Sequence, residues 1–191
     1  MVLALAIGDI GVPLGSQGIP QKLKELLQPG KIHQVICTGN LCDEATMDFL
    51  KTVSSNIIIV QGDLDAKRTY PIEKVVQIGE FHVGVCHGHH IIPPHDRDAI
   101  SAVQRRLGVD ILIKGCFDPS KGFESYVHRE GEIVVQPGSA SGWQPWSDAQ
   151  DSACRPSFAL MDIKGKRAVV YVYTLDINNE VQVEKIEFTK P

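Results

Sequence analysis

Apolar residues fall into short runs divided by turn-forming residues, and the spacing within the runs changes along the chain. Val2–Ile7 is unbroken and apolar, as expected of a strand buried on both faces. Residues 20–27 put Leu23, Leu26 and Leu27 on one helical face, with Pro20 in the first turn, where a missing N–H costs nothing. Residues 34–38 predict a second strand. Asp43 is placed to cap a helix running to Val53, since its carboxylate can accept from first-turn amides and Met47, Leu50 and Val53 share a face. Residues 56–60 are a third buried strand.

The second half reads differently. Residues 74–78 and Phe81–Cys86 predict two strands joined at Gly79-Glu80 in a hairpin. A helix over about 96–107 leads to a short apolar strand at 110–114. From residue 123 onward the pattern predicts antiparallel strands at 123–128, 132–135, 158–163, 168–175 and 181–188. The turns between them fall at Arg129-Glu130-Gly131, Lys164-Gly165-Lys166 and Asn178-Asn179. Early β–α–β units followed by hairpins imply an α/β fold: two packed β-sheets flanked by helices, as one domain over residues 1–191. The strand at 168–175 is apolar on both sides, Tyr171 and Tyr173 on one and Val170 and Val172 on the other. Only one side can meet a central core, so the other needs a cover, for which Leu26 and Leu27 are the candidates.

Composition narrows the function classes. The 191 residues are 43% hydrophobic and 22% charged, the profile of a globular protein with a full core. A net charge of -4, with no basic run longer than Arg105-Arg106, speaks against nucleic acid, whose phosphates call for clustered cations. The apolar start from Met1 to Ile7 lacks a positive flank and is too short for a bilayer, so membrane association is expected only through partners. Five cysteines (Cys37, Cys42, Cys86, Cys116, Cys154), odd in number and without a CxxC pair, suit reduced thiols in the cytoplasm.

The chemistry gathers where strands end. Those ends read Gly8-Asp9-Ile10-Gly11, Gly39-Asn40-Leu41-Cys42-Asp43, Gly62-Asp63-Leu64-Asp65 and His87-Gly88-His89-His90. In α/β sheets the site lies outside the carboxyl ends of the strands, and a neighbouring glycine lets each polar side chain turn into a shared crevice. Carboxylate, carboxamide and imidazole meeting there are the ligand types of a two-metal hydrolase. One Gly-Asp after a strand is usually a turn; four such ends in succession point to a site.

This order, with Gly115 and Pro137-Gly138-Ser139 further on, resembles the calcineurin-like metallophosphoesterases over nearly the whole chain. Most members place aspartate before asparagine; here Asn40 precedes Asp63. That reversal, inside Cys37-Thr38-Gly39-Asn40-Leu41-Cys42, resembles the branch formed by the small subunits of the retromer coat. Leu27-Gln28-Pro29-Gly30-Lys31-Ile32 and Pro156-Ser157-Phe158-Ala159-Leu160-Met161-Asp162-Ile163 are similar too. The resemblance implies a non-catalytic scaffold, cytoplasmic and peripheral on endosome membranes. Its implied partners are the large α-solenoid subunit (vacuolar protein sorting subunit 35) and regulators of Rab GTPases.

The departures from the superfamily pattern carry information. Its first motif is Asp-x-His, but Gly11 holds the histidine position; its last is Gly-His-x-His, but the chain reads Gly115-Cys116-Phe117-Asp118. Position by position, the resemblance leaves Asp9, Asn40, Asp63 and His87 as metal ligands, with Cys116 and Asp118 as weaker candidates. Asn40 is neutral where a bridging carboxylate would screen two cations. No cofactor is therefore required, and at most one weakly bound divalent ion, Zn or Mn, is expected. The alternative for Asp9, Asn40 and Asp63 is plain hydrogen bonding to loop amides. His89 and His90 stay unassigned.

Ile91-Ile92 before two prolines suggests exposed apolar surface beside the crevice, and the resemblance assigns it to the large subunit. It also implies a regulator-binding patch of Leu26, Leu27, Leu160, Tyr171, Tyr173, Val181 and Val183. Trp143 and Trp146 fit two readings, local packing or a partner anchor.

Overall fold

The computed structural model describes residues 1–66, 69–116, 122–127, 131–143 and 154–190. Its elements follow the predicted order closely: β1 (Val2–Ile7), α1 (Gln21–Lys24), β2 (Gln34–Cys37), α2 (Glu44–Val53), β3 (Ile57–Ile59), β4 (Glu73–Ile78) and β5 (Phe81–Cys86). Then come α3 (Arg97–Leu107), β6 (Ile111–Lys114), β7 (Glu124–Val127), β8 (Ile133–Gln136), β9 (Ser157–Lys164), β10 (Arg167–Leu175) and β11 (Val181–Thr189). Both longer helices start where sequence chemistry puts them. The Asp43 carboxylate accepts from Thr46 N–H at 2.8 Å, and that of Asp96 accepts from Ala99 N–H at 2.7 Å. The helix at 20–27 is only one α-helical turn; Leu26 and Leu27 follow through N–H bonds to the carbonyls three residues back.

Two sheets form, in the orders β11-β10-β9-β1-β2-β3 and β4-β5-β6-β8-β7. β1 is central in the first, parallel to β2 and antiparallel to β9. One correction concerns the second: β8 was expected in a wholly antiparallel run, but it pairs parallel with β6 through Ile111–Ile133 and antiparallel only with β7. The chain from β6 returns to the same side before entering β8, and a hydrophobic pattern carries no strand direction.

The sheets face each other over a core that includes Ala4, Ala6, Val83, Val85, Ile111, Ile113, Met161, Val170 and Val172. Alternation within β10 sends Val170 and Val172 inward. Tyr171 and Tyr173 point to the outer face, where Leu23 and Leu27 pack with Leu5, Phe158 and Leu160. α3 covers the other sheet through Ile100, against Cys86, Leu112 and Val134. β1, β2 and β3 run parallel, as do β5 and β6, so their carboxyl ends open on the same side in each sheet. Those ends carry the polar tetrapeptides.

Candidate functional site

Backbone shape comes first. Asp9 and Asn40 have positive φ, 50° and 56°, a conformation short polar residues tolerate best. It is held by long-range bonds: Asp9 N–H to Gly39 O at 3.0 Å, and Ser139 Oγ to Asp9 O at 2.7 Å. The loops after β2 and β3 nearly touch. A Cβ on Gly39 would lie 2.6 Å from Gly62 N, and one on Gly62 would lie 2.2 Å from Asn40 Oδ1, so this closeness requires glycine on both sides.

The side chains then close on one another. Asn40 Nδ2 donates to Asp9 Oδ1 at 2.9 Å and to Asp63 Oδ1 at 3.1 Å, while its Oδ1 accepts from Leu64 N–H at 3.0 Å. His87 Nε2 lies 2.9 Å from Asp63 Oδ1, and Nδ1 lies 2.9 Å from Thr38 O. A carbonyl accepts and an ionised carboxylate accepts, so both ring nitrogens carry hydrogen and His87 is an imidazolium. Asp9 (3% exposed), Asn40 (1%) and His87 (2%) are buried. Asp63 stands at the mouth.

Electrostatics agree with that assignment. The hydrogen bond from His87 holds the Asp63 carboxyl down at about 2. Burial opposes charge on His87, but Asp9 and Asp63 outweigh it and raise its pKa above the usual value. Burial is also the main influence on Asp9 and raises its pKa. A buried cation made of protein thus sits between two carboxylates.

Asp9, Asn40, Asp63 and His87 are therefore brought together. The His89 ring lies tilted beside His87, centroids 5.3 Å apart, while His90 turns away to Glu73 at 2.8 Å. Cys116 borders the cluster with φ 43°, its thiol pushed up by burial; Asp118 lies outside the described residues. Sequence reasoning underrated Asp65. Its buried carboxylate accepts from Gly62 N–H (2.7 Å) and Asn40 N–H (3.1 Å), tying the two loops. It also missed Lys114, a buried ammonium donating to Gly115 O and Cys116 O, the second at 2.6 Å. A lysine ending an apolar run was the available signal.

These donors do not fit a two-metal centre. Asp9 Oδ1, Asp63 Oδ1 and both His87 nitrogens are already engaged, and Asn40 turns its amide nitrogen, not its oxygen, to the carboxylates. Asp9 Oδ2 is buried without a partner. At Gly11 (φ 65°) a Cβ would fall 2.1 Å from Trp143 Cε3, so the indole fills the space an imidazole there would need.

The apolar predictions divide. Ile92 is 85% exposed, but Ile91 corrects the expected exposed pair: it is 3% exposed and packs against Cys86, Ile100 and Leu112. In the expected patch, Leu27 and Leu160 are corrected likewise. They are 2% and 9% exposed because α1 and the turn after it cover the centre of the outer face. Tyr171, Tyr173 and Val181 are half-buried around them, Leu26 is at the surface, and Val183 is 51% exposed. Trp143 packs locally on the 11–15 turn; Trp146 lies outside the described residues. No helix among the described residues is long and apolar enough to cross a membrane.

Comparison with known proteins matches residues 7–166 to the calcineurin-like phosphoesterase superfamily domain. The curated Vacuolar protein sorting-associated protein 29 of Schizosaccharomyces pombe is 36% identical over 191 residues, all of both chains. Among solved structures, Chaetomium thermophilum Vps29 matches all of both chains with 37% identity and a TM-score of 0.91. Wild-type Vps29 of Entamoeba histolytica complexed with Zn2+ matches with 38% identity and a TM-score of 0.87, over 98% of this chain and 100% of that one.

Proposed function

This chain belongs to the calcineurin-like phosphoesterase superfamily and, within it, to the vacuolar protein sorting-associated protein 29 family, and on that premise we propose that it is a non-catalytic scaffold subunit of retromer. It serves protein transport from endosomes to the Golgi and plasma membrane, and reaches the endosome surface through its partners. The observation that carries this reading is Ile92, 85% exposed in the loop that follows His87. Its loop is anchored at both ends of the Ile91 turn. Ile91 N–H bonds to Gly88 O at 3.1 Å, Ile91 is buried, and His90 anchors to Glu73, which also takes Arg106. An apolar anchor on a fixed support loses little entropy on docking. Ile92 is thus the contact for the large α-solenoid subunit, and the half-open rim of Tyr171, Tyr173, Val181 and Val183 takes regulators of Rab GTPases.

The cluster lacks the parts of a hydrolase. His87 has no free nitrogen to act as base, and Asn40 gives no charge to bridge two ions. No cofactor is required. Asp9, Asp63 and His87 would hold at most one weakly bound Zn or Mn ion, once His87 releases its Nε2 proton. Binding to the purified large subunit tests the scaffold reading: Ile92→Asp weakens it about 30-fold, the equivalent of about 2 kcal/mol at an interface anchor. Unchanged binding by a folded variant refutes it. A metal-dependent phosphoesterase is the second reading, favoured by the unpartnered Asp9 Oδ2. Turnover of an aryl phosphate in millimolar Mn or Zn, above that of an Asp63→Ala control, would establish it.

A further inference from the structure

We propose that the Trp143 indole plugs the space beside Asp9 and fixes the capacity of this crevice at one divalent ion. The inference rests on the reading that Asp9, Asp63 and His87 are the residual ligands. The buried, unpartnered Asp9 Oδ2 is where a further cation would be drawn. The residues that follow on the same loop lie under Trp143, which blocks Gly11 and crowds Gly15. A Cβ at Gly11 would meet the six-membered ring of Trp143 at 2.1 Å (Cε3) and 2.3 Å (Cδ2); one at Gly15 would lie 3.1 Å from Nε1. The ring therefore covers the turn from Gly11 to Gly15, and its only polar atom is a donor, useless to a cation. The plug is also held in place. Trp143 N–H donates to Ser141 Oγ at 3.2 Å, and that hydroxyl donates to Ile10 O at 2.9 Å, fastening Trp143 to the segment it covers. Gly11 is glycine here for two reasons, the positive φ and the indole, and the second can be removed by mutation.

The test is equilibrium dialysis of the full chain against Zn and against Mn, with metal content measured per chain and folding checked by thermal melts. The variants are Trp143→Ala, Gly11→His and Gly11→His with Trp143→Ala. Wild type binds no more than one ion. Gly11→His alone melts lower and gains no ion, because imidazole and indole compete for one space. The double variant melts no lower than Gly11→His and binds metal at least about tenfold tighter than wild type, or takes a second ion. A double variant that binds no more than Trp143→Ala overturns the proposal, as does a folded Gly11→His that gains as much as the double. If the histidine variants do not fold, quenching decides: with Trp146→Phe removing the other indole, bound cobalt(II) quenches Trp143, and bound cobalt without quenching overturns the proposal. Failure of the underlying ligand reading looks different, since Asp63→Ala then binds metal as well as wild type.

Discussion

Replacing Asp65 by alanine should destabilise the protein more than replacing Asp63, although Asp63 is the residue the family motif marks. Asp65 is 7% exposed, and its Oδ2 alone accepts two backbone amides, from Gly62 at 2.7 Å and Asn40 at 3.1 Å. Removing it leaves two buried donors without acceptors, each costing about 1–3 kcal/mol, so about 3 kcal/mol in total is expected. Asp63 has a side chain 32% exposed, and without it His87 releases a proton and does not stand as an unpaired buried cation, so the loss is held to about 1 kcal/mol. In a chain of this size about 3 kcal/mol lowers Tm by about 6–12 °C. Urea titrations and thermal melts near neutral pH measure both variants. A second readout is the Cys42 thiol, held up at about 12 by burial first and Asp65 next; Asp65→Ala should let it alkylate faster. Asp63→Ala costing as much as Asp65→Ala, or Asp65→Ala costing under about 1 kcal/mol, would refute the reasoning.

Stability should also depend on pH from both sides. The Asp63 carboxyl is held down, so its contribution is full above its ordinary value of 3.8 and fades as pH falls towards about 2; His87 is held up, so its contribution is full below 6.5 and fades as pH rises through its folded value. A plateau between about 4 and 6.5 in urea titrations across pH, flattened on the alkaline side by His87→Gln, is the expected result; an unchanged alkaline limb counts against an imidazolium. At the half-open rim, Val183→Glu should abolish binding of a Rab-regulator segment while leaving binding to the large subunit and Tm unchanged, because Val183 is 51% exposed. Loss of both interactions in the folded variant would merge two surfaces that are separate here.

Much of the frame was legible because it is written in local chemistry. Asp43 announces a helix start, since a carboxylate before an apolar stripe has free amides to accept from; Asp96 caps α3 in the same way, a role its sequence reading did not include. An unbroken apolar run marks β1 and an interrupted one β5, both at their observed ends, and a glycine beside each polar strand end located the cluster of Asp9, Asn40, Asp63 and His87. Direction was not legible: β8 lies between a parallel and an antiparallel neighbour, and its four buried residues look the same in either case. Nor was cover. Leu26 and Leu27 are adjacent leucines, yet only Leu27 turns under the sheet's outer face, because the turn after α1 tightens at that point. Ile91 and Ile92 divide in the same way.

The chemical state of the cluster was hidden for a deeper reason. Sequence spacing says which loops converge, and an aspartate, an asparagine, a second aspartate and a histidine read equally as ligands or as a hydrogen-bonded knot. What decides is the direction of each bond. Leu64 N–H fixes the Asn40 oxygen outward, so its amide nitrogen must face both carboxylates; Thr38 O fixes one hydrogen on His87, so the other nitrogen must donate to Asp63. Neither Leu64 nor Thr38 stands out in the sequence, and each acts through its backbone, which every residue possesses. Trp143 does stand out in the sequence, but its contact with Gly11 joins positions more than a hundred residues apart, which spacing does not reveal. Four of the motif's residues therefore read equally as ligands or as a hydrogen-bonded knot until backbone partners such as Leu64 and Thr38 are known, and the experiments that distinguish the two are those that move a proton or a ring.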